Sequence, residues 1–145
     1  MKVDFYQLGG TPPEEVIGRL AEKLLASEGR LIVVADDEIF LSKLDRMLWD
    51  QGPESFLPHG LSGAADDARQ PILLSTSPDA PNVARNMLIA DGVWRDSALS
   101  YDRAFFLFEG AMVEDARTAW KSLAAKEGVE LRYFAQEGGK WVKKG

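Results

Sequence analysis

The chain has no cysteine and a single histidine, His59, among its 145 residues. Without thiols there is no disulfide framework, no thiolate metal site and no cysteine nucleophile. One histidine also falls short of the usual zinc and copper ligand sets. Basic residues are in deficit, because 17 Lys and Arg stand against 23 Asp and Glu and leave a net charge of −6. Over most of the surface that balance repels a phosphate backbone, so strong direct binding to DNA is disfavoured. No apolar run reaches the roughly 18 residues of a membrane helix, and Met1-Lys2-Val3-Asp4 leads into no signal-peptide core. The expectation is a cytoplasmic protein without membrane contact.

What is there is an ordinary globular composition, 46% hydrophobic and 28% charged. The length suits one domain over residues 1–145. Val3 to Leu8 mixes β-branched and aromatic residues and stops at Gly9-Gly10, as a buried strand does before a turn. Thr11-Pro12-Pro13-Glu14-Glu15 reads as a helix start with Thr11 as cap, and Val16, Ile17, Leu20, Ala21 and Leu24 follow at helical spacing. Arg30 to Ala35 is a continuous apolar run of strand length, the pattern of a strand covered on both faces. A second helix then begins at Asp36-Asp37-Glu38, with Phe40, Leu44, Met47 and Leu48 on one side.

Residues 52 to 70 read as a long irregular loop, of the kind that often carries function. Short strands are expected at Pro71–Ser75 and Asn86–Ala90, and a Phe-rich one at Arg103–Phe108. Val113, Ala116, Trp120 and Leu123 mark a third helix, stopped by Gly128 before a last strand from Val129 to Phe134. Alternating strands and helices predict an α/β fold with three layers, a mostly parallel central sheet with helices on both faces.

Chemistry-bearing patterns are thin. Gly9-Gly10 sits between a strand and a helix N-terminus, where α/β folds bind nucleotide phosphates, but Pro12 and Pro13 remove two amide donors. Neither G-x-G-x-x-G nor G-x-x-x-x-G-K-[ST] occurs. A small nucleotide-binding or nucleotide-hydrolysing protein using Gly9-Gly10 and Asp36-Asp37 is the alternative function these residues leave open. Ser55, His59 and Asp66 or Asp67 could be imagined as a triad, yet no G-x-S-x-G elbow supports one. No catalytic residue and no cofactor are expected. Two apolar or basic features remain. Trp49, Phe56 and Pro58 bracket the long loop, either covering the core edge or forming a partner-binding patch. The Lys140-Trp141-Val142-Lys143-Lys144 end has the composition of a direct single-strand binder, opposed by the net charge.

Leu44-Asp45-Arg46-Met47-Leu48-Trp49 followed by Glu54-Ser55-Phe56-Leu57-Pro58-His59 resembles the chi subunit family of bacterial DNA polymerase III. The other strands fall in that family's order, so the resemblance covers nearly the whole chain. It implies a Rossmann-like α/β fold without a phosphate loop, and a noncatalytic accessory subunit of the clamp-loader complex. It further implies an adaptor in DNA replication, meeting the psi subunit or another helical partner on one side. On the other side it would meet the acidic C-terminal tail of single-stranded-DNA-binding protein, touching DNA mainly indirectly. The helical-partner surface carries over to Trp49, Phe56, Leu57, Pro58 and His59. The family places Arg, Tyr and Lys for the tail on and just after the last helix, where this chain has Ala125, Gly128 and Val129. The cations expected to serve instead are Arg117, Lys121, Lys126 and Arg132, with Trp120 or Leu123 walling an apolar slot.

Overall fold

A computed structural model describes residues 1–27, 29–49 and 58–145. Eight strands form one sheet: β1 (Lys2–Gln7), β2 (Leu31–Val34), β3 (His59–Leu61), β4 (Ile72–Ser75), β5 (Asn86–Ile89), β6 (Arg103–Phe108), β7 (Glu130–Glu137) and β8 (Lys140–Lys143). Three α-helices, α1 (Pro13–Ala26), α2 (Glu38–Trp49) and α3 (Val113–Ala124), and three short 3-10 turns complete the described elements. The order across the sheet is β3-β4-β2-β5-β6-β1-β7-β8, with every pairing parallel except β7 with β8. The chain therefore starts in mid-sheet and crosses by α1 to β2, and α2 leads on to the far edge. β5 and β6 then fill the gap, and α3 carries the chain past β1 to the opposite edge.

The period-two alternation of the strands divides the core in two. Leu31, Val33, Phe105 and Leu107 face α1 and α2, meeting Val16, Ile17, Ala21, Leu41, Leu44 and Leu48. Ile32, Val34, Phe106 and Phe108 face the other way, toward Ala116, Ala119 and Leu123 of α3 and toward Trp94 and Ala98. All four residues of β2 are buried, as the continuous apolar run requires. The expected α/β architecture is thus present.

Two local expectations are corrected. Thr11 does not cap α1, because the cap position falls on Pro12 and no side chain caps it. The long loop contains β3 and a 3-10 turn at Asp67–Arg69. The basic C-terminal end is a strand, since Gly138 (φ 56°) and Gly139 (φ 78°) take the left-handed values that a two-residue hairpin turn demands. That turn folds β8 back on β7, with Gln136 opposite Trp141 and Phe134 opposite Lys143.

One polar group lies at the centre of the sheet. Asp4 of β1 is fully buried and is held by Arg103 of β6 (2.6 Å) and by Arg132 of β7 (2.8 Å). Arg132 contributes two of the contacts, Nε to Oδ1 and Nη2 to Oδ2, both at 2.8 Å. The bond to Asp4 also raises the pKa of the Arg132 guanidinium. A buried carboxylate without its cations costs several kcal/mol, so this triad enforces the neighbours of β1. Replacing Asp4→Asn should lower stability by about 3 kcal/mol in urea denaturation, the low end for a broken buried pair because both arginines keep some solvent access.

Candidate functional site

The turn between β1 and α1 is where a nucleotide phosphate would sit, and here it is occupied from within. Gln136 of β7 is buried, and its Oε1 accepts the amides of Gly9 (3.1 Å) and Thr11 (3.4 Å). Its Nε2 donates to the Thr11 hydroxyl (2.7 Å), and a Cβ at Gly9 would collide with the Gln136 main-chain carbonyl. Two of the amides a phosphate would meet there are therefore already satisfied. Asp36 and Asp37 are spoken for as well. The Asp36 amide donates to Asp91 (3.0 Å), Arg95 bridges Asp36 and Asp91 at 2.9 Å each, and Asp37 accepts the Ile39 amide (2.9 Å). Burial pushes the Asp91 carboxyl up, but the hydrogen bonds from Arg95 and Asp36 outweigh it and hold the group below its usual range. Among the described residues no group of three or more His, Cys, Asp or Glu is placed to hold a metal.

His59 does not meet Asp66 or Asp67. Its Nε2 lies 3.0 Å from Asp45 Oδ1 and 3.1 Å from the Asp45 carbonyl oxygen. Asp67 instead accepts the amides of Gly63 and Ala64, and Asp66 accepts the Gln70 side chain. Ser55 lies outside the described residues.

The first expected partner surface is built by α2 and the start of β3. Leu44 and Leu48 point into the core, so the helix turns Trp49 outward, where it is 53% exposed and its ring centroid lies 4.7 Å from that of His59. Pro58 is exposed beside it. His59, expected on the same partner surface, is buried; it lies against Trp49 and is anchored by Asp45. Phe56 and Leu57 lie outside the described residues. Leu61 of β3 and Ile39 at the start of α2 are also exposed.

The second expected surface is divided by the sheet. Arg117 and Lys121 of α3 line a pocket of about 580 Å³ together with Trp120, Tyr133, Lys144 and Gly145. Arg132 is not there: neighbouring residues on a strand face opposite ways, and it turns to Asp4 while Tyr133 turns to α3. Lys126 lies in the turn beyond α3 and does not line the pocket. Lys144, brought in by the β7–β8 hairpin, supplies the third cation. Arg117 pairs with Glu114 (3.0 Å) and Lys144 with Glu137 (2.7 Å), whereas Lys121 has no ion pair among the described residues. Burial raises the Tyr133 hydroxyl above its ordinary range, and the Arg117 charge draws it back down. Its hydroxyl contacts Gln7 Oε1 at 2.6 Å, and its ring meets Trp120 edge-on at 5.8 Å. The result is an aromatic slot rimmed by cations, a setting for an acidic group with an apolar end.

Fold and turn define an open α/β protein whose nucleotide-phosphate turn is plugged by its own side chain. The chain belongs to the DNA polymerase III chi subunit family, HolC, whose model matches residues 1–132. It is 35% identical over 91 residues to DNA polymerase III subunit chi of Pseudomonas aeruginosa, covering 61% of this chain and 62% of that one. The Escherichia coli subunit of the same name is 25% identical over 112 residues, covering 75% and 76%. The Haemophilus influenzae one is 32% identical over 62 residues, covering 43% of each. Two of these matches span less than two thirds of the relative's own length. The resemblance carried by Leu44 to His59 is thereby correct, and the chain joins a family of DNA replication proteins.

Removing the plug tests its role. Gln136→Ala should cost about 1–2 kcal/mol of stability in thermal or urea melts, because the amides of Gly9 and Thr11 lose their acceptor. A fluorescent nucleoside triphosphate titrated into the variant should still show no saturable binding, since Pro12 and Pro13 leave the turn short of donors.

Proposed function

We propose that the chain is a noncatalytic accessory subunit of the DNA polymerase III holoenzyme, folded as one domain over residues 1–145 and acting in the cytoplasm as an adaptor. One end takes a helical partner, psi or a protein that replaces it, on Trp49, Pro58 and the adjoining loop residues Phe56 and Leu57. The other takes the acidic C-terminal tail of single-stranded-DNA-binding protein. The two contacts couple the clamp loader to coated single strands. The observation that carries this reading is the pocket between α3 and β7, where Arg117, Lys121 and Lys144 surround Trp120 and Tyr133 in a chain of net charge −6. Few places on so acidic a protein suit an anionic, aromatic-ended peptide, and this one offers both the charge and the slot.

Calorimetric titration with an acidic, Phe-ended peptide tests the tail site. Arg117→Glu combined with Lys121→Glu should weaken binding at least tenfold, whereas Lys126→Glu should leave it nearly unchanged. Raising salt from about 0.05 M to 0.3 M should also weaken it, because the attraction is between partly solvated charges. Unchanged affinity in the Arg117, Lys121 double variant refutes this placement.

The helical-partner surface is tested separately. Trp49→Ala should keep the wild-type circular dichroism spectrum and lose about 2 kcal/mol or more of binding to the psi partner in a pull-down or titration. A variant that unfolds would assign Trp49 to the core edge instead.

A further inference from the structure

The topology leaves one stretch of sheet without a helix. α1 crosses from β1 toward β2, while β7 and β8 lie on the opposite side of β1. Among the described residues no helix covers them on the α1 side. A groove of about 660 Å³ runs there between α1 and the β7–β8 hairpin, its floor formed by Tyr6, Phe134 and Trp141. These three rings are half-buried, and each presents part of its surface to the groove. Tyr6 and Phe134 stack at 5.2 Å, and Trp141 stands edge-on to Tyr6 at 5.1 Å.

Cations rim this platform. Arg19 and Lys23 of α1 line the groove, and Lys143 stands opposite Phe134 on the same sheet face. Arg132 lies over the Phe134 ring, 5.6 Å from its centroid. Arg103 and Arg132 share the single carboxylate of Asp4, and Glu130 is the other acid whose charge acts on Arg132. Arg19 is paired with Glu15, and Glu22 is the one acid on the groove wall, but Lys23 and Lys143 have no ion pair among the described residues. The surrounding protein is acidic; this face is locally basic and aromatic.

We propose that this groove is a binding site for single-stranded DNA, bases lying on Trp141 and Phe134 and phosphates met by Lys23, Lys143 and Arg132. Flat rings flanked by cations accept any base by its π-face and follow the backbone by charge, which is sequence-tolerant recognition. A duplex, whose bases are already stacked, has nothing to offer the rings. An acidic peptide with one terminal aromatic is the poorer occupant, since its charges match the rim but its single ring covers only part of a platform of three. The site lies on the sheet face opposite the α3 pocket, so it is independent of the proposed tail contact. It restores a role for the Lys-Trp-Val-Lys-Lys end, with Trp141 and Lys143 on the groove side and Lys144 serving the opposite pocket.

The test is fluorescence anisotropy of a labelled deoxythymidine oligonucleotide of about 20 residues with the full chain at low salt. Saturable binding is expected, with affinity falling more than tenfold between about 0.05 M and 0.2 M salt, as three or four phosphate contacts imply. Lys23→Glu with Lys143→Glu, both exposed and outside the core, should weaken binding at least fivefold, and so should Trp141→Leu in a folded protein. Arg117→Glu should spare the oligonucleotide while it weakens the acidic peptide, which separates this site from the other. The proposal is overturned by no binding at low salt, unchanged affinity in the Lys23, Lys143 variant, equal affinity for duplex, or displacement by polyglutamate at equal charge. An oligouridine arm distinguishes the two sources of this chemistry. Affinity more than tenfold higher for the RNA would overturn the assignment to DNA.

Discussion

The structure depends on a buried carboxylate. Asp4 lies in the middle of the sheet with no access to solvent, and such a charge is tolerable only with its cations in place. Arg103 and Arg132 reach it from the two strands flanking β1, the latter separated from it by 128 positions in the chain. A slip of β7 by one residue would turn Arg132 to the wrong face and strand the carboxylate. The triad thereby fixes the register of β7, and β7 in turn directs Tyr133 toward the α3 pocket, Phe134 toward the groove, and Gln136 into the turn after β1.

That last contact gives the turn after β1 an acceptor from within the protein. Gly9 and Thr11 keep their outward amides, and the protein supplies the acceptor itself through Gln136. The turn becomes a structural joint linking β1, α1 and β7. With the strand ends used in this way, the surfaces left for partners lie at the margins of the sheet. One is beside β3, around Trp49; the others are on the two faces of the β7–β8 edge. Margins far apart on one rigid sheet suit a protein proposed to hold two partners at once.

The placing of Leu44 to Trp49 ahead of His59 has a physical meaning that only folding displays. Leu44 and Leu48 bury, Asp45 reaches His59 fourteen residues later, and the His59 ring meets that of Trp49. Read linearly, His59 looked like an exposed loop residue after a proline. It is buried because β3, only three residues long, pairs with β4 and draws its first side chain inward. Short strands of this kind carry too few residues to show a period, so the loop reading failed there.

The sequence alone determined the elements whose burial is periodic or complete. The apolar run at β2, the Phe-rich β6 and the amphipathic faces of α1, α2 and α3 follow from local spacing, as do the absence of thiol chemistry and the resemblance carried by Leu44 to His59. The tertiary structure decided which charged groups share a face. Arg117 on the last helix and Arg132 on the adjoining strand are expected from the sequence to converge, yet the two-residue period of β7 sends Arg132 to Asp4, and the Gly138-Gly139 turn brings Lys144 in its place. Face and partner depend on register across strands distant in sequence, and register is set by the burial of Asp4, an interaction between residues that no local window contains together.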